Sequence, residues 1–246
     1  MDRFEAVVLG VGDSFTERNH SSALLLRSAG VQLAIDCPDS YRAVLRAANS
    51  GPAEAVDQVL ITHVHGDHMN GLEGLAFYKR FAEGKRLRLI CSSEVRAVIW
   101  QQRLQASMGV LFDGERHREL DFEDYFEHVE LKWDGVTEVG PFRLRARRTI
   151  HHVPTSALFV EAAGASLGYS SDTAFDPSLI DFLRPADLIV HETNLGPAHT
   201  PYERLAALPE PLRDRMRLIH YPDSFDLDES AIAPLREGQQ LTVNER

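Results

Sequence analysis

Short apolar runs, each closed by glycine, serine or aspartate, fill the first part of the chain. Residues 4–9 read as a strand that Gly10-Val11-Gly12-Asp13 breaks. Residues 22–27 and 31–36 read as two more strands, joined by a hairpin turn at Ser28-Ala29-Gly30. The spacing then becomes helical. Tyr41, Val44, Leu45 and Ala48 form one stripe behind a cap at Asp39 or Ser40, which predicts a helix over 39–49. Val59, Leu60 and Ile61 mark a buried strand at 58–62, followed by a helix at 71–83, a strand at 86–91 and a helix at 93–105. The second half repeats the style. Phe142, Leu144 and Ala146 alternate with Arg143, Arg145 and Arg147, a strand at 142–147 with one solvated face. Residues 158–162 and 166–170 form a hairpin turning at Ala163-Gly164-Ala165. A short helix at 177–183, a buried strand at 188–191, helices at 202–208 and 210–216 and a short strand at 217–220 follow, with Leu241-Thr242-Val243 as an edge strand. Interleaved strands and helices, with hairpins in both halves, predict an α/β fold of two mixed sheets face to face, one from each half, with helices outside. No linker or low-complexity run divides residues 1–246, so one domain is expected.

Size and composition narrow the class. A chain of 27.6 kDa should expose roughly 11,000 Å² when folded, so a large core is available without disulfides. With 43% hydrophobic and 26% charged residues, the chain is neither disordered nor fibrous. The net charge of −11 disfavours broad electrostatic binding of nucleic acid. Cys37 and Cys91 are the only cysteines, which suits a reducing compartment. No run approaches the roughly 20 apolar residues of a membrane helix, and the start lacks a signal peptide's basic, then long apolar, pattern. A cytoplasmic protein with no membrane partner is expected. The acidity is concentrated at 111–134, where Asp113, Glu115, Glu119, Asp121, Glu123, Asp124, Glu127, Glu130 and Asp134 face only Arg116, Arg118 and Lys132. That stretch reads either as a solvated surface segment or as a cover over a pocket.

The chemistry gathers at 62–68, Thr-His-Val-His-Gly-Asp-His. His63, His65, Asp67 and His68 fall between an apolar strand and a helix. Extended residues two apart point the same way, so His63 and His65 can share one ion. Gly66 permits a sharp turn, after which Asp67 and His68 can face a second ion. Imidazole and carboxylate donors suit zinc, with manganese and iron as alternatives. Further candidates follow strand ends: His151-His152, Asp172 and His220. His20, His117 and His128 read as surface residues. His199 lies in a proline-rich loop beside Thr200-Pro201 and is a candidate for assisting the substrate, and the Asp13-Ser14-Phe15 loop is a candidate pocket wall.

The segment His63-Val-His-Gly-Asp-His68 resembles the HxHxDH signature of the metallo-β-lactamase superfamily. The remainder is similar to its ribonuclease Z-like phosphodiesterase branch. Leu9-Gly-Val-Gly12 with Asn19-His-Ser-Ser22 resembles the glycine-rich opening of that branch, and Asp36-Cys37 its second strand end. His151-His-Val-Pro-Thr-Ser-Ala157, Tyr169-Ser-Ser-Asp-Thr173 and His191-Glu-Thr193 resemble its later motifs, and the likeness runs from about residue 4 to 220. It implies a four-layer αββα sandwich. It also implies two divalent transition metal ions, one on His63, His65 and His151 and one on Asp67, His68 and His220, with Asp172 bridging. His152 competes with His151, but Pro154 three residues after His151 matches the family spacing.

The resemblance further implies a dinuclear hydrolase, with a phosphodiesterase foremost. Two ions sharing a water would lower its pKa to near 7, and the hydroxide would attack phosphorus. Asp67 would orient it, and His191, held by the carboxylate of Glu192, would protonate the leaving oxygen. A packed histidine after a buried strand is the competing reading of His191. The middle of the chain is acidic and lacks the basic arm that holds transfer RNA, so a small or cyclic phosphodiester, or a short nucleotide or RNA 3′ end, is the expected substrate. Arg143, Arg145, Arg147 and Arg148 read as a solvated strand face. A carboxyl-ester, lactone or thioester hydrolase is the second reading, and a metal-bound sensor that hydrolyses nothing is the third. A homodimer remains open.

Overall fold

The computed structural model describes residues 2–48 and 56–244. Two large sheets form, and their sequence halves separate almost as expected. The first holds, in spatial order, Gln240–Thr242, Glu5–Gly10, Ala23–Ser28, Val31–Ile35, Gln58–Leu60, Leu87–Cys91 and Phe126–Glu130. The second runs Met216–Ile219, Leu188–Glu192, Ala165–Tyr169, Ser156–Ala162, Phe142–Arg148 and Thr137–Val139. Only Gln240–Thr242 crosses between halves, closing the first sheet antiparallel to Glu5–Gly10.

The alternation of each strand decides what it buries. In the first sheet Val8, Leu24, Leu26, Leu33, Ile35, Leu60 and Ile90 point inward, where they join Phe142, Leu144, Leu158 and Val160 of the second. The rings of Phe4 and Phe142 meet across the interface at 5.9 Å. The intervening residues Val7, Leu25, Ala34, Val59 and Leu89 point outward and pack with Tyr41, Val44, Leu45, Leu72 and Leu75 of the outer helices. On the far side, Pro177–Leu183 lies on the second sheet close to Gly168, where an added Cβ would come 3.1 Å from Leu183. The layers are therefore helix, sheet, sheet, helix. Total exposed area is 11436 Å², close to the expected value.

Both hairpins close with two residues. Ala29 and Gly30 have φ of 48° and 75°, and Ala163 and Gly164 have 48° and 77°, the left-handed pair that matches strand twist. The first helix is Tyr41–Ala47; Asn49, which ended the expected helix, lies outside the described residues. The helix expected at 93–105 is Ser93–Val98, a π-helical Ile99–Leu104 and Gln105–Met108 in succession.

The acidic stretch divides. Val110–Phe112 and His117–Glu119 form an exposed hairpin, whereas Phe126–Glu130 pairs with Leu87–Cys91 as the edge strand of the first sheet. Its aromatic residues Phe122, Tyr125 and Phe126 are buried, so it is partly core and not wholly a surface strip. The arginines of Phe142–Arg148 do lie on a solvated face. Arg143 pairs with Glu161, Arg147 donates to Ser178 and Arg148 pairs with Glu94.

Candidate metal centre

Strand direction brings the candidate ligands to one edge. Val31–Ile35 and Gln58–Leu60 run parallel in the first sheet. In the second, Phe142–Arg148, Ala165–Tyr169, Leu188–Glu192 and Met216–Ile219 share a direction, set by two antiparallel and two parallel pairings. Their C-terminal ends carry Asp36, His63, His151, Asp172, Glu192 and His220. The Ser156 amide donates to Thr62 O at 3.2 Å and ties the sheets together there. Asp36, Ser171 and His220 hold φ of 65°, 51° and 56°. Left-handed backbone at a non-glycine residue costs roughly 1–3 kcal/mol, which the surrounding fold must impose.

The first ligand group is His63, His65, His151 and Asp172, whose donor atoms lie within 4.8 Å of one another. His65 Nδ1 is 3.1 Å from His63 Nε2 and 3.2 Å from His151 Nε2. Asp172 Oδ2 is 3.8 Å from His63 Nε2 and 3.7 Å from His151 Nε2. The second group is Asp67, His68 and His220. Asp67 Oδ2 is 3.3 Å from Nε2 of both His68 and His220. Asp172 faces this group too, 3.4 Å from His68 and 3.6 Å from His220. His152 is exposed and outside both groups, its ring 6.2 Å from that of His65.

The far side of each ring is fixed. His68 Nδ1 lies 2.8 Å from Asp36 Oδ2, while Asp36 Oδ1 accepts from the Thr62 amide at 2.8 Å. Thr62 Oγ1 donates to Asp36 and accepts from His63 Nδ1 at 3.0 Å. His151 Nδ1 donates to Ala198 O at 3.1 Å, and Asn194 Nδ2 lies 3.3 Å from His220 Nδ1. Such partners orient ligand rings and set which nitrogen is free.

Electrostatics differ between the groups. Burial holds His63 well below the ordinary histidine value, lowers His65 and takes His151 down to about 4. Burial also works against charge on His68 and His220, but Asp172 and the other carboxylates outweigh it and raise both. Asp172 is buried and Asp67 half-buried, which works against their charge, yet the adjoining histidines keep both carboxyls below their usual range.

The donor set fits a pair of cations. His68 Nε2 and Asp172 Oδ1 are buried and lie 3.4 Å apart with no aligned hydrogen bond to any neighbour, both facing the interior of the cluster. Orphaned buried donors and acceptors are costly. Imidazole nitrogens and carboxylate oxygens converging on such a space are what borderline transition ions accept.

The structure does not bring the His191 ring onto the Glu192 carboxylate. His191 and Glu192 are adjacent on a strand, so their side chains leave on opposite faces. His191 Nδ1 bonds the Glu192 carbonyl at 2.7 Å, and burial lowers the ring to about 4. The Glu192 carboxylate instead accepts from the Thr173 amide at 2.8 Å and meets His199 Nδ1 at 3.0 Å. The histidine that the carboxylate holds is His199. Its ring lies flat over that of His220 at 5.4 Å, and it forms a third close group with Asp172 and His220. Among the outer-lying histidines, His20 pairs with Glu237, His117 is exposed and His128 bonds Cys91 O. Asp36, Thr62 and Asn194 had no spacing signal that marked them as ligand supports.

Residues 4–240 match the model of the Anti-Pycsar protein Apyc1 family. The chain belongs to that family. An Anti-Pycsar protein Apyc1 from Paenibacillus sp. (strain J14) is 30% identical over 226 residues, covering 89% of each chain. A cAMP/cGMP-dependent 3′,5′-cAMP/cGMP phosphodiesterase B from Dictyostelium discoideum is 23% identical over 265 residues, 98% of this chain and 23% of its own length. Among solved structures, the metallo-β-lactamase fold protein YhfI from Bacillus subtilis superimposes with a TM-score of 0.78 at 20% identity, covering 97% of this chain and 99% of YhfI. The fold is thus that of the metallo-β-lactamases, and this Apyc1-family chain is a hydrolase. No helix among the described residues is long and apolar enough to cross a membrane.

Proposed function

We propose that the chain is a dinuclear metal-dependent phosphodiesterase that opens cyclic nucleotides. The observation that carries this reading is Asp172, whose carboxylate faces two complete ligand groups at once. His63, His65 and His151 would hold one ion and Asp67, His68 and His220 the other, with Asp172 between them. Zinc is the first choice for these donors, and manganese or iron suit them too. When bound, the ions supply Lewis acidity toward the phosphoryl oxygens and a water activated near neutral pH.

The chain's own side chains supply orientation and the proton. Asp67 directs its carboxylate into the centre and aligns the attacking water. His199 keeps Nδ1 on Glu192, which leaves Nε2 to donate a proton to the leaving alkoxide as the phosphorus–oxygen bond breaks. Glu192 is set for this by the Thr173 amide, while burial and then the charge of Asp172 push its carboxyl up. The named activity of the Dictyostelium relative and the family itself support a small cyclic diester. The net charge of −11 suits that better than a long polyanion.

Metal analysis of protein purified without chelator, with a panel of 3′,5′-cyclic nucleotides, linear dinucleotides and a lactone, tests the reading. Close to two transition ions per chain and preferred opening of cyclic nucleotides are expected. Lactone hydrolysis without diester hydrolysis would favour the carboxyl-ester alternative, and bound metal without any hydrolysis would favour a sensor.

A further inference from the structure

The ligand segment is gripped from outside by a side chain that the chemistry above does not use. Arg103 Nη1 donates to Val64 O at 2.9 Å, and its Nη2 donates to Asn70 Oδ1 at 3.0 Å. Val64 is the residue between His63 and His65. Asn70 ends the short helix Gly66–Met69, which carries Asp67 and His68. One planar guanidinium therefore bridges both ends of the segment that supplies four of the proposed ligands. The Asn70 amide lies close against Gly66, where an added Cβ would come 2.8 Å from Asn70 Nδ2.

The backbone that delivers Arg103 is unusual. Val95, Ile99, Trp100, Leu104 and Met108 are buried in succession. In an uninterrupted α-helix, with 3.6 residues per turn, the stripe from Val95 and Ile99 would pass through Arg103 and turn its charge toward the core. The wider π-helical turn at Ile99–Leu104 places Leu104 in the core and leaves Arg103 exposed on the flank beside the ligand segment. One turn further on, Ser107 Oγ donates to Glu73 of the helix Leu72–Glu83.

We infer that Arg103 is a positioning residue for the metal centre. It fixes the Val64 peptide and the Asn70 amide, so that His63, His65, Asp67 and His68 already face the cations before these bind. Without it, metal binding must also order the segment, and affinity falls. The inference rests on the metal-centre reading above.

The test uses the full chain, stripped with a chelator and titrated with zinc against a chromogenic indicator. Thermal unfolding of the metal-free protein is followed in parallel. Arg103→Ala should weaken zinc binding about tenfold, the lower end for residues that support ligands. Its metal-free melting midpoint should move by about 2 °C or less, since both contacts are exposed. Arg103→Lys should recover little of the affinity, because one ammonium cannot span two acceptors as a guanidinium does. Asn70→Ala should give a smaller loss, and the double variant less than the product of the two. Should Arg103→Ala fail to fold, Arg103→Lys and Asn70→Ala carry the same comparison. Zinc affinity within twofold of the wild type, or a lowered melting midpoint with unchanged affinity, overturns the positioning role. A wild-type chain that binds no zinc, manganese or iron overturns the metal-centre reading itself, a distinct result.

Discussion

At the scale of single residues, Asp172 is the most exposed to test. Asp172→Ala should release at least one metal and lower kcat/KM by about 10²–10³-fold, a loss of roughly 3–4 kcal/mol of barrier lowering. Retained metal with near-normal turnover would argue against the bridging role. His199→Ala should keep both metals and slow hydrolysis of diesters with alkoxide leaving groups by about 10²–10⁴-fold. With p-nitrophenolate, which departs without a proton, the defect should shrink. His191→Ala should instead lower thermal stability with little selective effect on turnover, because that ring is buried on its own neighbour's carbonyl. If the leaving-group signature follows His191 and not His199, the assignment of the proton donor fails. The two cases show what a sequence reveals at this scale. His63 to His68 were legible because their geometry is local to one turn. The partner of Glu192 was not, because it lies seven residues away across a loop, while the adjacent histidine points to the other face of the sheet. Strand alternation alone argued against a His191–Glu192 pair.

At the scale of elements, the two ligand groups sit on differently charged supports, and acid should distinguish them. His63, His65 and His151 are kept neutral by burial, so protons compete weakly for the first group. His68 and His220 are raised by the surrounding carboxylates, so protons compete there at higher pH. As pH falls from neutrality, metal should leave in two steps, the Asp67–His68–His220 group first. Metal content measured against pH, in wild type and in His220→Ala, checks this; a single step, or loss from the first group at the higher pH, would contradict it. The hairpins at Ala29-Gly30 and Ala163-Gly164 were legible from turn chemistry, and most strands from their apolar runs. The π-helical turn was not, since Gln101, Gln102 and Arg103 are polar residues that any helix surface accepts. The edge strand Phe126–Glu130 was masked by its own exposed charges, which carry no inward alternation strong enough to reveal its pairing.

At the scale of the whole molecule, a net charge of −11 surrounds the proposed phosphodiesterase centre. Local cations can reverse that field in a pocket but not along an extended polymer. Transfer-RNA-length RNA should therefore show no salt-dependent binding in a filter assay, while cyclic nucleotide hydrolysis should change only modestly between 50 and 200 mM salt; tight RNA binding that weakens steeply with salt would contradict the substrate assignment. On the proposed function, this Apyc1-family chain hydrolyses a cyclic phosphodiester with two ions held across Asp172. The most direct measurement strips the protein of metal and returns zinc stepwise while following the opening of a 3′,5′-cyclic nucleotide. The stripped protein should be inactive, with a rise that completes at the second equivalent per chain. Full activity without metal, or complete activity at one equivalent, would contradict it.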